Sequence, residues 1–186
     1  RLLPEYRERV NRLAAGLLSL GIGKGDRVGV WAPNCYEWCL TQFATAKIGA
    51  ILVCINPAYR TFELEFALNK SGCVALVTAQ KYLTSNYCGM LVELAPELEA
   101  CAPGQLNAQR LPHLKHVIAM GETPPAGMWG FTEISAHAED RATQLADLAR
   151  TLSPDDAINI QFTSGTTGMP KGATLSHFNI LNNGRI

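Results

Sequence analysis

Apolar residues fall at Tyr6, Val10, Leu13, Leu17 and Leu20, and these spacings of three and four predict an amphipathic helix over residues 6–20. Glu5 with Arg9, and Glu8 with Arg12, stand one turn apart and are expected to pair on its solvent face. Gly21 supplies the stop. The rhythm then changes. Residues 27–32 and 51–55 are short apolar runs closed by Pro33-Asn34 and Asn56-Pro57, the form of buried strands. Between them residues 36–49 have helical character, with Trp38, Phe43, Ala46 and Ile48 available for packing.

Thr61 is expected to cap a helix over 62–70, which Ser71-Gly72 closes, and residues 74–77 give a third strand. A further helix is expected over 80–94. Residues 95–109 and 121–130 carry prolines and glycines and read as surface loops on either side of a strand over 114–119. A polar helix follows over 136–152, with Ala142, Leu145, Leu148 and Ala149 as its apolar positions. Strands alternating with helices predict a parallel sheet covered on both faces, the doubly wound α/β plan.

Composition supports a packed core: 47% of the 186 residues are hydrophobic, enough for one domain or part of a larger one. Sixteen basic and sixteen acidic side chains cancel, so no global field favours nucleic acid or an anionic lipid surface. The longest apolar runs, such as 48–55, fall far short of the roughly 20 residues of a membrane span. The chain opens at Arg1 and stops at Ile186 inside a helix begun shortly before. It is therefore expected to be an excerpt, in which a missing targeting segment carries no meaning.

The six cysteines contain no CxxC pair and sit mostly in apolar runs, as packed free thiols in a reducing compartment do. Cys35 and Cys39, four apart with no histidine nearby, do not make a zinc site. His113 and His116 flank a strand entry without a carboxylate cluster and read as loop or edge residues; His137 reads as solvated.

The candidate chemistry lies in QFTSGTTGMPKG, residues 161–172. Ile158, Ile160 and Phe162 alternate with polar residues before it, and Ala173 and Leu175 do so behind it, so the segment is expected to join two half-buried strands. Ser176 then caps a helix beginning at His177. A polyphosphate needs short donors converging on clustered anionic oxygens, close backbone approach and a cation. Thr163, Ser164, Thr166 and Thr167 bring hydroxyls, Gly165 and Gly168 bring bare N–H groups, Pro170, after Met169, removes a donor but fixes φ and stiffens the approach, and Lys171 brings the ammonium. The Walker A register fails when counted from Gly165. Lys171 falls in place, but Pro170 replaces the second glycine and Gly172 replaces the magnesium-binding Ser or Thr. The plain alternative is a Gly/Ser/Thr linker, which has no need of a fixed proline and lysine between alternating strands.

Phe162 to Gly172 resembles the phosphate loop of the adenylate-forming enzymes: acyl-CoA synthetases, luciferases and peptide-synthetase adenylation domains. Gly25-Asp26-Arg27-Val28-Gly29-Val30 and the run Gly49 to Pro57 with Tyr59-Arg60 and Glu63-Leu64 resemble two further blocks of that family, in the same order. Asn159-Ile160-Gln161-Phe162, Ala173-Thr174-Leu175-Ser176-His177 and Gln109-Arg110-Leu111-Pro112 are similar to its mitochondrial medium-chain acyl-CoA synthetases.

The resemblance implies a two-step reaction. A fatty carboxylate attacks the α-phosphate of ATP to give acyl-adenylate and pyrophosphate, and coenzyme A then displaces AMP. It implies that Thr163 to Lys171 hold the leaving pyrophosphate, with Mg2+ bridging its oxygens, and that the protein is mitochondrial. The acid pocket, the adenine and ribose ligands, an acidic magnesium ligand and a C-terminal domain with a catalytic lysine would lie beyond Ile186, so this chain alone is expected to be inactive. Two other readings stand beside this one: a non-catalytic interaction fragment, and an adenylating ligase for another carboxylic acid. Neither acyl chain length nor oligomeric state is written in these residues.

Overall fold

The computed structural model describes residues 2–136, 141–163 and 170–184. Helix α1 (Leu2–Ser19) turns Val10, Leu13 and Leu17 inward. Each such burial contributes about 1.5–3 kcal/mol. Its end follows the expected stop: Leu18 O accepts the Gly21 N–H and Leu17 O accepts the Ile22 N–H. Glu8 and Arg12 form their ion pair, whereas Arg9 lies 5.7 Å over the Tyr36 ring. The facing aromatic ring, rather than Glu5, takes that guanidinium.

Strand β1 (Arg27–Trp31) leads through α2 (Tyr36–Ile48) to β2 (Ile51–Cys54), and α3 (Thr61–Ser71) leads to β3 (Ala75–Thr78). The face that α2 buries is Leu40, Thr41, Ala44, Thr45 and Ile48, which leaves Phe43 54% exposed and edge-on to Tyr6. The apolar content of this helix does not mark its inner face. Arg60, not Thr61, caps α3, because the Glu63 carboxylate accepts the Arg60 N–H at 3.1 Å. The other end of α3 is held by Arg27, whose guanidinium donates to Ser71 O and Gly72 O, both at 2.9 Å.

The helix expected over 80–94 is only half present. Strands β4 (Lys81–Tyr82) and β5 (Ser85–Asn86) form a small antiparallel hairpin, and α4 (Tyr87–Leu94) begins after it. Asn86 decides the boundary, since its side chain accepts the Gly89 N–H at 3.0 Å and caps the helix. Residues 95–109, read as surface loop, contain a 3-10 turn (Pro96–Glu99) and bury Leu98, Leu106 and Ala108. Their apolar side chains reach back to the core although the backbone is irregular.

Strand β6 (His116–Ala119) pairs with β7 (Trp129–Gly130), inside the second predicted loop, and α5 (Phe131–Ala136) follows at once. A two-residue strand offers no periodicity to read. Helix α6 (Ala142–Thr151) takes the later part of the expected helix over 136–152. Residues 137–140, including His137, lie outside the described residues. Strand β8 (Ala157–Thr163), β9 (Lys171–Ser176) and α7 (His177–Asn183) complete the chain.

The seven-stranded sheet has the order β7-β6-β3-β1-β2-β8-β9, all parallel except β9. Crossovers toward β8 run over one face and those toward β7 over the other, as right-handed βαβ units require. Accordingly α1, α2, α5 and α6 pack together on one face, and α3 with α4 on the other. Both faces are covered, which is why Val28 to Trp31 and Ala75 to Thr78 are buried without alternation. Trp31 meets Tyr87 edge-on, with ring centroids 4.5 Å apart, at the centre of this core.

Candidate functional site

Strands β8 and β9 form an antiparallel hairpin at one margin of the sheet, as the alternating flanks predicted. Thr163 and Lys171 stand directly opposite one another at its open end, and Thr163 Oγ1 donates to Lys171 O at 3.3 Å. The intervening Ser164, Gly165, Thr166, Thr167, Gly168 and Met169 lie outside the described residues. Phe162 pairs with Gly172, and a Cβ on Gly172 would sit 3.6 Å from the ring and 3.2 Å from Ile160 Cγ2. A glycine here lets those side chains lie against the partner backbone.

Strand β8 keeps the expected alternation only over its second half, with Ile160 and Phe162 half-buried and Gln161 and Thr163 exposed; Asn159 is buried beside Ile158, its amide donating to Cys54 Sγ at 3.5 Å where β8 pairs with β2. Strand β9 does not keep it: Lys171 to Thr174, Ala173 included, are all exposed. It is one of the sheet's two edge strands, and α7 follows its far end. Lys171 is exposed, Pro170 is half-buried, and no carboxylate occurs anywhere in residues 157–176. The open end thus places the Thr163 hydroxyl beside the Lys171 backbone, with no carboxylate in either strand. An ammonium placed this way is a donor suited to phosphate oxygens.

The closed end is built differently. Asp156, immediately before β8, has its carboxylate held by Lys24 Nζ at 2.7 Å and by the Ser153 N–H at 2.8 Å. Lys24, with the Ser153 N–H next, keeps that carboxyl below the usual range. Lys24 also donates to Thr151 O at 3.0 Å, at the end of α6. From the same turn, Asp156 O accepts the His177 N–H at 3.3 Å and Pro154 O accepts the Phe178 N–H at 2.9 Å. Ser176 caps α7 by accepting the Asn179 N–H at 3.3 Å. Asp156 and Lys24 were not singled out in the sequence; the turn signals Ser153-Pro154 and Gly23-Lys24-Gly25 mark their loops but not their partnership.

His113 is exposed, and His116 is half-buried at the start of β6, where burial lowers its pKa. Neither approaches the hairpin in the sheet order. Of the six free cysteines, Cys73 and Cys88 are buried and burial pushes their thiols up, to about 12 and about 11, while Cys39 is exposed. A cavity of about 510 Å³ lies between α1, α2 and α6, lined by Glu8, Lys47, Arg141 and Leu145 among others, and contains no hairpin residue.

The profile of the AMP-binding enzymes matches residues 4–186. This chain belongs to the AMP-binding enzyme family. It is 51% identical over 179 residues to the mitochondrial medium-chain acyl-CoA ligase ACSF2 of Danio rerio, covering 96% of this chain and 30% of that protein. The Homo sapiens protein of the same name is 50% identical over 184 residues, covering 98% and 30%. A putative acyl-CoA synthetase of Bacillus subtilis, YngI, is 46% identical over 172 residues, covering 91% and 31%. Among solved structures, a long-chain-fatty-acid-CoA ligase from Archaeoglobus fulgidus superimposes with a TM-score of 0.70 at 28% identity, over 96% of this chain and 30% of that one. Acetoacetyl-CoA synthetase from Streptomyces lividans shares the fold, with a TM-score of 0.76 at 24% identity over 97% and 26%. The chain spans about 30% of the length of the curated relatives it matches.

Proposed function

We propose that this chain is the phosphate-holding part of an ATP-dependent acid-thiol ligase that converts a medium-chain fatty acid to its acyl-CoA through an acyl-adenylate. The carrying observation is the hairpin that sets Thr163 opposite Lys171 at the free end of the β8–β9 pair, with no carboxylate in either strand. The roughly half identity to medium-chain ligases supports the choice of acid and, by likeness alone, a mitochondrial location. ATP, the fatty acid and coenzyme A are then the small-molecule partners.

The chemistry explains the residue types. A fatty carboxylate, with a pKa of about 4–5, is already ionised at neutral pH and needs no general base. The barrier is the approach of two anions, so the protein's task is to neutralise and place phosphate. Lys171 supplies the charge, Thr163 with the loop residues 164–169 supplies short donors to the β- and γ-phosphates, and Pro170 stiffens the approach to the lysine. Magnesium, if bound with ATP, would supply further neutralisation of the phosphate charge that Lys171 meets.

In the full-length ligase Lys171→Ala is expected to slow acid-dependent exchange of labelled pyrophosphate into ATP by about 100-fold. The KM for the acid should hardly move. Exchange at the wild-type rate would overturn the assignment. The Bacillus subtilis relative, whose name specifies no acid, keeps a ligase for another carboxylic acid in play. A panel of acids of graded length and ring content in the same exchange assay separates the two.

A further inference from the structure

We propose that Asp156 is a positioning residue for Lys171, acting from the opposite end of the β8–β9 hairpin through a clamp shared with Lys24. The proposal rests on the function argued above. Strand β9 is an edge strand with one strand neighbour, and its residues Lys171 to Thr174 are exposed. Beyond its ladder to β8, its placement depends on how its far end is anchored. That anchor is the 153–156 turn.

The side chain of Asp156 fixes the turn by accepting the Ser153 N–H at 2.8 Å, and the ion pair with Lys24 at 2.7 Å ties the turn to the segment leading into β1. Held this way, the turn aims two carbonyls at the start of α7, taking the His177 and Phe178 N–H groups. Those two bonds set where β9 ends. The ladder has an irregularity between Ala157 and Asn159, just where β8 leaves the turn, so pairing there does not by itself enforce the register. A slip of one residue in β9 turns Lys171 to the other face of the sheet and removes it from its place opposite Thr163. The route of influence therefore runs from carboxylate to turn, from turn to register, and from register to the ammonium.

The stem of Lys24 is itself confined. A Cβ at Gly49 would fall 3.0 Å from Lys24 Cγ, and the Gly25 N–H donates to Gly49 O at 2.9 Å. The lysine is thus delivered to Asp156 by packing against the end of α2, and its ammonium is further fixed on Thr151 O.

The test compares Asp156→Ala, Lys24→Ala, the double variant and Lys24→Arg in the full-length protein, by amide hydrogen exchange and by acid-dependent pyrophosphate exchange. In Asp156→Ala, β9 amides should lose protection while those of β1 and β3 keep theirs. The exchange rate should fall about 10- to 100-fold with the KM for the acid unchanged. The double variant should be no worse than Asp156→Ala alone, and Lys24→Arg should retain most activity. Wild-type protection in β9 overturns the proposal, as does a loosened β9 with an unchanged exchange rate. Uniform loss of protection through β1 and β3 overturns it too, since it marks a general stability role. Should the unaltered protein show no pyrophosphate exchange at all, the ligase reading fails; β9 protection in the variants still decides whether the clamp exists.

Discussion

Gly49 shows how much a single position carries. Its φ of +74° is left-handed, and a Cβ there would meet Leu152 Cδ2 at 2.8 Å and Lys24 Cγ at 3.0 Å. Gly25 shares the positive φ, at +85°, but has nothing within 4 Å of such a Cβ. The two separate backbone strain from steric overlap. Gly25→Ala should cost about 1–2 kcal/mol, the strain alone. Gly49→Ala should cost about 2–4 kcal/mol, since overlap adds to strain. Urea unfolding of both variants checks this, and equal midpoints would contradict it. In the sequence Gly49 is simply a helix end; that it also seats Lys24 follows only from the approach of the α1–β1 connection.

Among the elements, α1 contains a glycine where helices disfavour one. Gly16 lies under α5, and a Cβ there would fall 2.2 Å from Ile134 O. Replacing glycine by alanine inside a free helix gains about 1 kcal/mol. Here α5 would have to move, so Gly16→Ala is expected to destabilise by about 1–3 kcal/mol net. A raised melting temperature would refute the close approach. The same pair of helices shows where the chain could be read and where it could not. Helix α1 and strands β1, β2 and β3 were legible because each buries a continuous stripe or run that its own sequence displays. Helix α5 and strand β7 were not, because six and two residues are too few to show a period. The hairpin Lys81–Asn86 was absorbed into a helix because its apolar Tyr82 and Leu83 mimic helical content while standing exposed. At the candidate site, the strand flanks located the hairpin. The Asp156–Lys24 clamp joins residues over a hundred positions apart and leaves no local trace.

For the molecule as a whole, the share of the relatives' length matters most. With about 30% of that length, the chain carries one ammonium and no carboxylate along the hairpin. If the proposed function holds, this chain by itself, mixed with ATP, octanoate and coenzyme A, is expected to form no thioester. Detecting octanoyl-CoA from the chain alone by mass spectrometry would overturn that expectation. The parallel order of the sheet also has a consequence in time. Leu52 pairs with Asn159, so β2 meets β8 only after more than a hundred intervening residues have emerged from the ribosome. Closing so long a loop is entropically slow, and pairing of this kind falls late. Strand β8 is the last parallel strand to dock, and β9 can add only to β8. The β8–β9 pair is therefore the final part of the sheet to form, and a chain arrested late in folding would hold a nearly complete core while Thr163 and Lys171 were still apart.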